Sequence, residues 1–330
     1  LNEERRAELA AQMTRLQAPG LAADEAYRRA DGLIREIDRV LRERQADALL
    51  KLWPNPLYPV NWSDALGALT TTATTLWDET TLKAADPRAR AKLADTLPLT
   101  LPLLAFALLA LWRGRFWAER LVLRFRPPVT ARGQRILGFV TSLGQIILPV
   151  LACAALGETL RLSAMLGPIG LQIAAALAPM GTALFAAAWL GAQVFPVTAY
   201  RGLMLDLPAD RRALGRDLTT AFGALLALDM LRRVAMAEVV VSDAATSVLS
   251  LPIILVGGFI LVRLGQLMRQ ARANAGDHGN VTYRNRLLDL LARGVILFGT
   301  LGPLLAVLGY ALGTYGAYIS GLIMQWMSSQ

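Results

Sequence analysis

Three charged residues stand close together in an otherwise apolar stretch: Asp229 lies three and four positions before Arg232 and Arg233. Residues at these spacings share one face of a helix, so the carboxylate can pair with both guanidinium groups. A charge at the bilayer centre costs roughly 2.5–3.5 kcal/mol on the insertion scale, which makes Asp229 a candidate functional residue. An ion pair that anchors a helix end at the membrane edge is the interpretation we favour, because Glu238 and Asp243 follow closely.

A second group is rich in arginine. The segment 113–135 contains seven arginines and one acid, Glu119. In a helix, three of the arginines would share a face: Arg113, Arg120 and Arg124. Such a helix could lie along the membrane surface with Trp117 in the interface and each arginine near anionic headgroups, worth about 1 kcal/mol per residue. A plain basic loop that only sets the topology is an equally good interpretation.

Four prolines interrupt apolar runs, and we take them as candidate hinges: Pro149, Pro179, Pro252 and Pro303. A proline inside a helix removes a backbone donor and permits a kink or a break. In a transporter, paired broken helices mark a substrate site at the middle of the membrane. No internal repeat puts these prolines in corresponding positions, so they do not by themselves indicate such a site.

Residues that could do covalent chemistry are scarce. The single cysteine, Cys153, lies in an apolar run, and the single histidine, His278, lies in a polar stretch typical of a solvated loop. The sequence has no glycine-rich phosphate loop, no G-x-S-x-G and no H-E-x-x-H. We therefore predict no catalytic, cofactor-binding or metal-binding residues, and a protein that is not an enzyme.

The elements that carry these residues are apolar runs. The chain has 330 residues, of which 55% are hydrophobic and 18% charged, and this is too apolar for one soluble domain. Seven runs are candidate membrane spans: 97–112, 136–156, 174–195, 218–236, 247–262, 287–312 and 315–327. The first would also fit a buried core helix, since sixteen residues reach about 24 Å, but the repeated pattern favours spans. The fourth is the weakest, being short and containing Asp229.

The distribution of charge predicts the topology. Residues 1–95 hold 14 Lys+Arg against 15 Asp+Glu, whereas residues 96–330 hold 20 against 10. In the second part, 17 of the 20 basic residues lie in or beside the alternate loops 113–135, 196–217 and 263–286. Positively charged loops stay in the cytoplasm, so residues 1–95 are expected outside it. The basic charge therefore indicates membrane loops and not a nucleic-acid surface.

Residues 1–95 are predicted to form a helical domain. Apolar residues recur at steps of three and four from 22 to 52, with charged residues between them, as in an amphipathic helix. Residues 2–16 show a weaker version of the pattern, and Pro19-Gly20 separates the two stretches. An antiparallel helical hairpin is the simplest arrangement. The fold class is thus all-α: about seven transmembrane helices in 96–330, preceded by this extracytoplasmic hairpin domain.

The stretch RRADGLIREIDRVLRERQADALLKLWPNPLYPVNW (28–62) carries a resemblance to a known family. A helix rich in arginine and acids ends in a P-x-P-L-x-P turn, formed here by Pro54, Pro56, Leu57 and Pro59. The stretch resembles the extracytoplasmic helical domain of uncharacterised function in front of the membrane region of some large bacterial mechanosensitive channels of the small-conductance family.

The resemblance implies an accessory, tension-sensing membrane region of an ion channel that releases solutes under osmotic downshock. It implies a multi-pass protein of the bacterial inner membrane with a periplasmic N-terminal domain, assembled as a homo-oligomeric ring, commonly of seven subunits. Its partners would be membrane lipids and the conducted ions, with no cofactor and no nucleic acid. The pore helix and the β-rich cytoplasmic domain of that family have no counterpart here, so we expect them beyond Gln330.

Two other functions are compatible with the sequence. A secondary transporter would predict substrate-dependent flux and a charged, water-accessible site at the middle of the membrane. A membrane scaffold would use the helical domain 1–95 to bind a periplasmic partner.

Overall fold

The computed structural model describes residues 24–42, 54–124, 131–197, 207–274 and 283–308, together with the single residues Glu3, Arg5, Arg6 and Met13. Throughout this part of the chain the regular structure is helical and no β-strand occurs, which confirms the all-α class. The chain divides into two compact units, Leu1–Leu52 and Trp53–Gln330.

In the first unit, residues 24–42 form one helix, α1, as the amphipathic pattern predicts. Ion pairs one turn apart line its charged faces: Arg29 with Glu25 at 2.5 Å, Arg39 with Glu36 at 2.9 Å, and Arg35 with Asp31. These pairs are exposed, so each stabilises the helix by about 0.2–1 kcal/mol at most. The other parts of the predicted hairpin, 2–16 and 43–52, lie outside the described residues apart from the four single positions.

The proline turn lies at the start of the second unit, and two hydrogen bonds fix its shape. The indole Nε1 of Trp62 donates to the carbonyl of Pro56 at 3.0 Å, and Asn61 Nδ2 donates to the carbonyl of Asn55 at 2.8 Å. Pro56 is fully buried. The three prolines cannot continue a helix. The side chains of Asn61 and Trp62 supply hydrogen-bond donors to two backbone carbonyls of the turn.

The second unit contains seven described helices: α2 (Val60–Ala85), α3 (Pro87–Arg124), α4 (Ala131–Leu162), α5 (Pro168–Val194), α6 (Ala209–Ala235), α7 (Asp243–Asn274) and α8 (Tyr283–Val307). Proline begins α3 and α5, where its fixed φ suits the first turn and its missing N–H leaves nothing unsatisfied. The helix that contains the first predicted span, 97–112, is longer than that span, because α3 continues as one helix to Arg124.

Five of the described helices are long and apolar enough to cross a membrane: Pro87–Gly114, Leu143–Leu162, Pro168–Val194, Asp243–Ala271 and Leu288–Val307. They overlap the predicted first, second, third, fifth and sixth spans. The fourth, 218–236, lies in α6 and is not among them, because Asp229, Arg232 and Arg233 interrupt its apolar run. The seventh, 315–327, lies outside the described residues.

Helices α3 to α8 follow one another in space, and each packs mainly against the helices before and after it in the chain. Glycines let neighbouring backbones approach closely, as is common between membrane helices. Gly223 of α6 lies against Ala183 and Ala187 of α5, and Gly258 of α7 lies against Gly299 and Pro303 of α8. One apolar cluster, Phe195, Leu207 and Ala271, joins the ends of α5 and α7.

Helix α2 lies across the side where α5 and α7 begin. Its residue Ala65 is buried with Ala245 and Val248 of α7. Fourteen residues further on, about 21 Å along the helix, Glu79 accepts a hydrogen bond from the backbone N–H of Ile169 at 3.3 Å. A carboxylate at this place is favourable, because the first N–H groups of α5 have no partner in their own helix.

The close packing of α5 and α6 predicts the effect of adding a methyl group. In Gly223→Ala, the new Cβ would lie 2.5 Å from the Cβ of Ala187 and 2.8 Å from the carbonyl oxygen of Ala183. We expect a loss of about 1–3 kcal/mol in stability and a lower Tm, measured by tryptophan fluorescence in detergent. Gly302→Ala is the matched control: nothing lies within 4 Å of its Cβ, so it should be neutral or stabilising by up to about 1 kcal/mol. A Tm for Gly223→Ala at or above that of the wild type would contradict the packing.

Candidate functional site

The structure brings Asp229, Arg232 and Arg233 together on α6 as the spacing predicts. Arg232 binds the carboxylate oxygen Oδ1 of Asp229 through Nη2 at 2.8 Å and Nε at 3.1 Å, and Arg233 pairs with Oδ2. The side chains are 16% exposed for Asp229, 15% for Arg232 and 28% for Arg233. One carboxylate therefore faces two guanidinium groups, and this largely buried group carries a net charge of +1.

The contacts of α6 with α5 fix the level of this charged group. Gly223 lies beside Ala183 and Ala187, and the side chain of Gln172 donates to the carboxylate of Glu238. Along the chain, Asp229 lies between these two contacts with α5. It therefore lies beside the middle part of α5 and not beyond its end. The group lies about 9 Å along the axis before α6 ends, and its depth in a membrane stays a prediction.

The arginine-rich segment is helical as far as Arg124, because α3 extends through it. The backbone thus agrees with the helical interpretation of Arg113, Trp117, Arg120 and Arg124, and the position of this segment on a membrane surface stays a prediction. The guanidinium of Arg113 lies over the ring of Trp112, 5.4 Å from its centroid. Arg113 is the one predicted residue of this segment whose side chain the structure describes.

All four candidate hinge prolines lie inside helices: Pro149 in α4, Pro179 in α5, Pro252 in α7 and Pro303 in α8. Each helix continues through its proline, which leaves the carbonyl four residues earlier without its usual helical donor. For Pro303 this carbonyl belongs to Gly299, which packs against Gly258 of α7. Helix α3 contains two further prolines, Pro98 and Pro102, that the sequence analysis did not single out.

A cavity of about 350 Å³ lies between α4, α5 and α6. Its apolar wall comes from one face of α5: Leu184, Phe185, Ala188 and Ala192. Its polar lining comes from all three helices: Gln145, Trp189, Arg216, Asp217 and Thr220. The sequence analysis missed this site, because its residues come from three separate runs. The sequence feature that could have indicated this cavity is the presence of Gln145 and Trp189, a polar and an amphipathic side chain, inside apolar runs.

The arginines at the start of α6 hold the end of α5. Arg216 Nη1 donates to the carbonyl of Phe195 at 2.9 Å, and Arg212 Nη1 donates to that of Pro196 at 3.3 Å. The last carbonyls of a helix lack partners in their own helix and carry partial negative charge, so guanidinium groups stabilise them. The ring of Phe195 packs where Gly215 has no side chain. This corner fixes the guanidinium of Arg216 at the cavity.

Among the described residues, no three histidine, cysteine, aspartate or glutamate side chains are grouped so that they could hold a metal ion. Cys153 lies against Gly181 of α5. His278 is outside the described part of the chain.

A family model described as a protein of unknown function, DUF3772, matches residues 20–81. The match covers α1, the proline turn and most of α2. No curated protein and no solved structure matches the chain.

The charged group predicts a large effect of Asp229→Asn. This change leaves two largely buried guanidinium groups without their carboxylate, and removing one partner of a buried pair costs roughly 3–5 kcal/mol. We expect the Tm in detergent, followed by tryptophan fluorescence, to fall by several degrees. The matched control is Glu158→Gln, which removes the acid of an exposed pair with Arg161 at 3.2 Å and should cost about 1 kcal/mol at most. Equal falls in Tm for the two variants would show that burial of Asp229, Arg232 and Arg233 adds nothing to the cost of removing the carboxylate.

Proposed function

We propose that this chain is the accessory, tension-sensing membrane region of a mechanosensitive ion channel resembling the small-conductance family. In this proposal it lies in the inner membrane of a bacterium and helps release solutes under osmotic downshock. The observation that carries the proposal is the arrangement of α3 to α8, in which the helices follow one another in chain order and leave broad apolar surfaces uncovered.

Such an arrangement suits a tension sensor, because membrane tension favours the state that occupies more area. Each helix, about 10 Å across, adds its cross-section to the protein's area in the bilayer. Between 17% and 39% of the residues in the most apolar window of each candidate span are buried, so most residues of each span keep some surface that lipid can contact. A change in how these helices contact lipid gives the two states different free energies, and that difference couples force to opening.

The proposal includes α6 as a further span. Its sequence is too charged to be recognised by hydropathy, but it runs antiparallel to α5 from Gly215 beside Phe195 to Glu238 beside Gln172. A helix paired along the length of a span shares its depth in the membrane. With 315–327, this gives the seven spans of the sequence analysis and keeps the arginine-rich loops on the cytoplasmic side and residues 1–95 in the periplasm.

The family match falls on the same part of the chain as the resemblance, and its description names no function. It covers residues 20–81, which include the stretch 28–62 that carries the resemblance. A ring of identical subunits, commonly seven, with membrane lipids and conducted ions as partners, belongs to the proposal on the same ground.

A membrane scaffold is the second candidate, and α1 is the observation that favours it. Leu33, Ile34 and Ile37 are 64%, 58% and 57% exposed, on a helix whose other faces are charged. A partner protein retained by residues 1–95 in a pull-down, and lost when Ile34 and Ile37 are changed to serine, would favour this function.

Cysteine labelling tests whether α6 crosses the membrane. In a Cys153→Ala background, Asp210→Cys and Val240→Cys put one exposed thiol in the first turn of α6 and one after its end. If α6 is a span, a membrane-impermeant maleimide added outside the inner membrane should label Val240→Cys and reach Asp210→Cys only after the cells are broken. Asp64→Cys on α2 is the control for the periplasmic side. Labelling of both α6 positions from one side would contradict the crossing.

Patch-clamp recording tests the function itself. The full-length protein, expressed in a bacterial strain without mechanosensitive channels, should give current that opens with membrane tension. A version that lacks residues 1–330 but keeps any pore that follows should open at higher tension, because its change in membrane area is smaller. The absence of tension-activated current in the full-length protein, or an equal threshold in the truncated one, would contradict the proposed sensor role.

A further inference from the structure

We infer that the cavity between α4, α5 and α6 binds a zwitterionic amphiphile, a molecule with an apolar body and a head group that carries both a cation and an anion. This inference concerns the binding chemistry of the chain and does not depend on its role in tension sensing.

The size and walls of the cavity suit the apolar body. Its volume of about 350 Å³ lies within the range of ligand pockets. The wall from α5 offers Phe185 and small or aliphatic residues at helical spacing, so an apolar group can pack there without leaving a polar atom unsatisfied. Ala188 lies in the middle of this wall, between Phe185 and Ala192.

The polar end of the cavity offers charges of both signs. Arg216 and Asp217 are consecutive on α6 and both line the cavity. The guanidinium of Arg216 is held by the carbonyl of Phe195 at 2.9 Å, and a guanidinium has five N–H donors in a planar fork that suits phosphate or carboxylate. Asp217 is exposed at the mouth, where its carboxylate can take an ammonium group.

The pair of charges selects against simpler head groups. A head group with only negative charge would meet the carboxylate of Asp217, and one with only positive charge would meet Arg216. The indole of Trp189 also lines the cavity, and an aromatic face attracts ammonium groups. A head group with both charges is therefore the best match.

The position of the cavity agrees with an amphiphile. Its charged end lies where Phe195, the residue after the end of α5, meets Arg216 of α6. A head group there would lie at the membrane surface, with the apolar body along α5. Both a zwitterionic phospholipid and a soluble zwitterion with an apolar part have this chemistry, and the experiment below separates them.

The test is native mass spectrometry of the full chain in detergent with three probes. Dihexanoyl phosphatidylethanolamine is zwitterionic, dihexanoyl phosphatidylglycerol is anionic, and glycerophosphoethanolamine has the zwitterionic head group without acyl chains. We expect one phosphatidylethanolamine per chain, bound about tenfold more tightly than phosphatidylglycerol. Competition by glycerophosphoethanolamine at similar concentration would identify a soluble zwitterion as the ligand, and its failure to compete would identify a lipid. Equal affinity for the two phospholipids would overturn the inference.

Variants locate the binding. Ala188→Trp should fill the cavity and abolish binding, and Asp217→Asn, at an exposed position where folding is not at risk, should remove the preference for the zwitterion while keeping phospholipid binding. Asp210→Asn is the matched control, an exposed aspartate of α6 that does not line the cavity, and should bind like the wild type. Full binding by Ala188→Trp, or an unchanged preference in Asp217→Asn, would place the ligand elsewhere.

Discussion

The close antiparallel packing of α5 against α6 is the interaction on which the membrane unit depends. Gly223 lets the two backbones meet at Ala183 and Ala187, and Phe195 fills the space beside Gly215. Small residues at these points allow van der Waals contact along both helices, which is the main source of helix association where lipid surrounds them. Because α5 has no charged residue, this packing places the partly charged α6 against an uncharged helix, and α6 links α4 and α5 to α7 and α8.

The same packing determines which partners the charged side chains of α6 can reach. At one end, Arg212 and Arg216 donate to the last carbonyls of α5, so two charges that would be unfavourable alone stabilise a helix end. Further along, Asp229 binds Arg232 and Arg233 in a largely buried group. The cavity lies beside the first of these ends, where Arg216, Asp217 and Thr220 of α6 line it. The charged side chains of this helix thus find partners in two places, at the end of α5 and within α6 itself.

Much of the fold follows from the sequence. Helices form over most of the five predicted runs 97–112, 136–156, 174–195, 247–262 and 287–312, because long apolar stretches can satisfy their backbone groups only as helices where water is absent. The spacing of three and four residues was enough to pair Asp229 with Arg232 and Arg233, since the contacts are made within one helix. The amphipathic pattern likewise predicted helix α1.

Tertiary structure decided the features that join distant parts of the chain. The sequence by itself determined which stretches are helical and which charges meet on one helix, because both depend on residues a few positions apart. It did not determine that Glu79 meets the start of α5, or that Gln145, Trp189 and Arg216 line one cavity. Those contacts depend on which helix faces pack together. Helix packing is set by the shapes of many side chains at once, and no local pattern in the sequence records it.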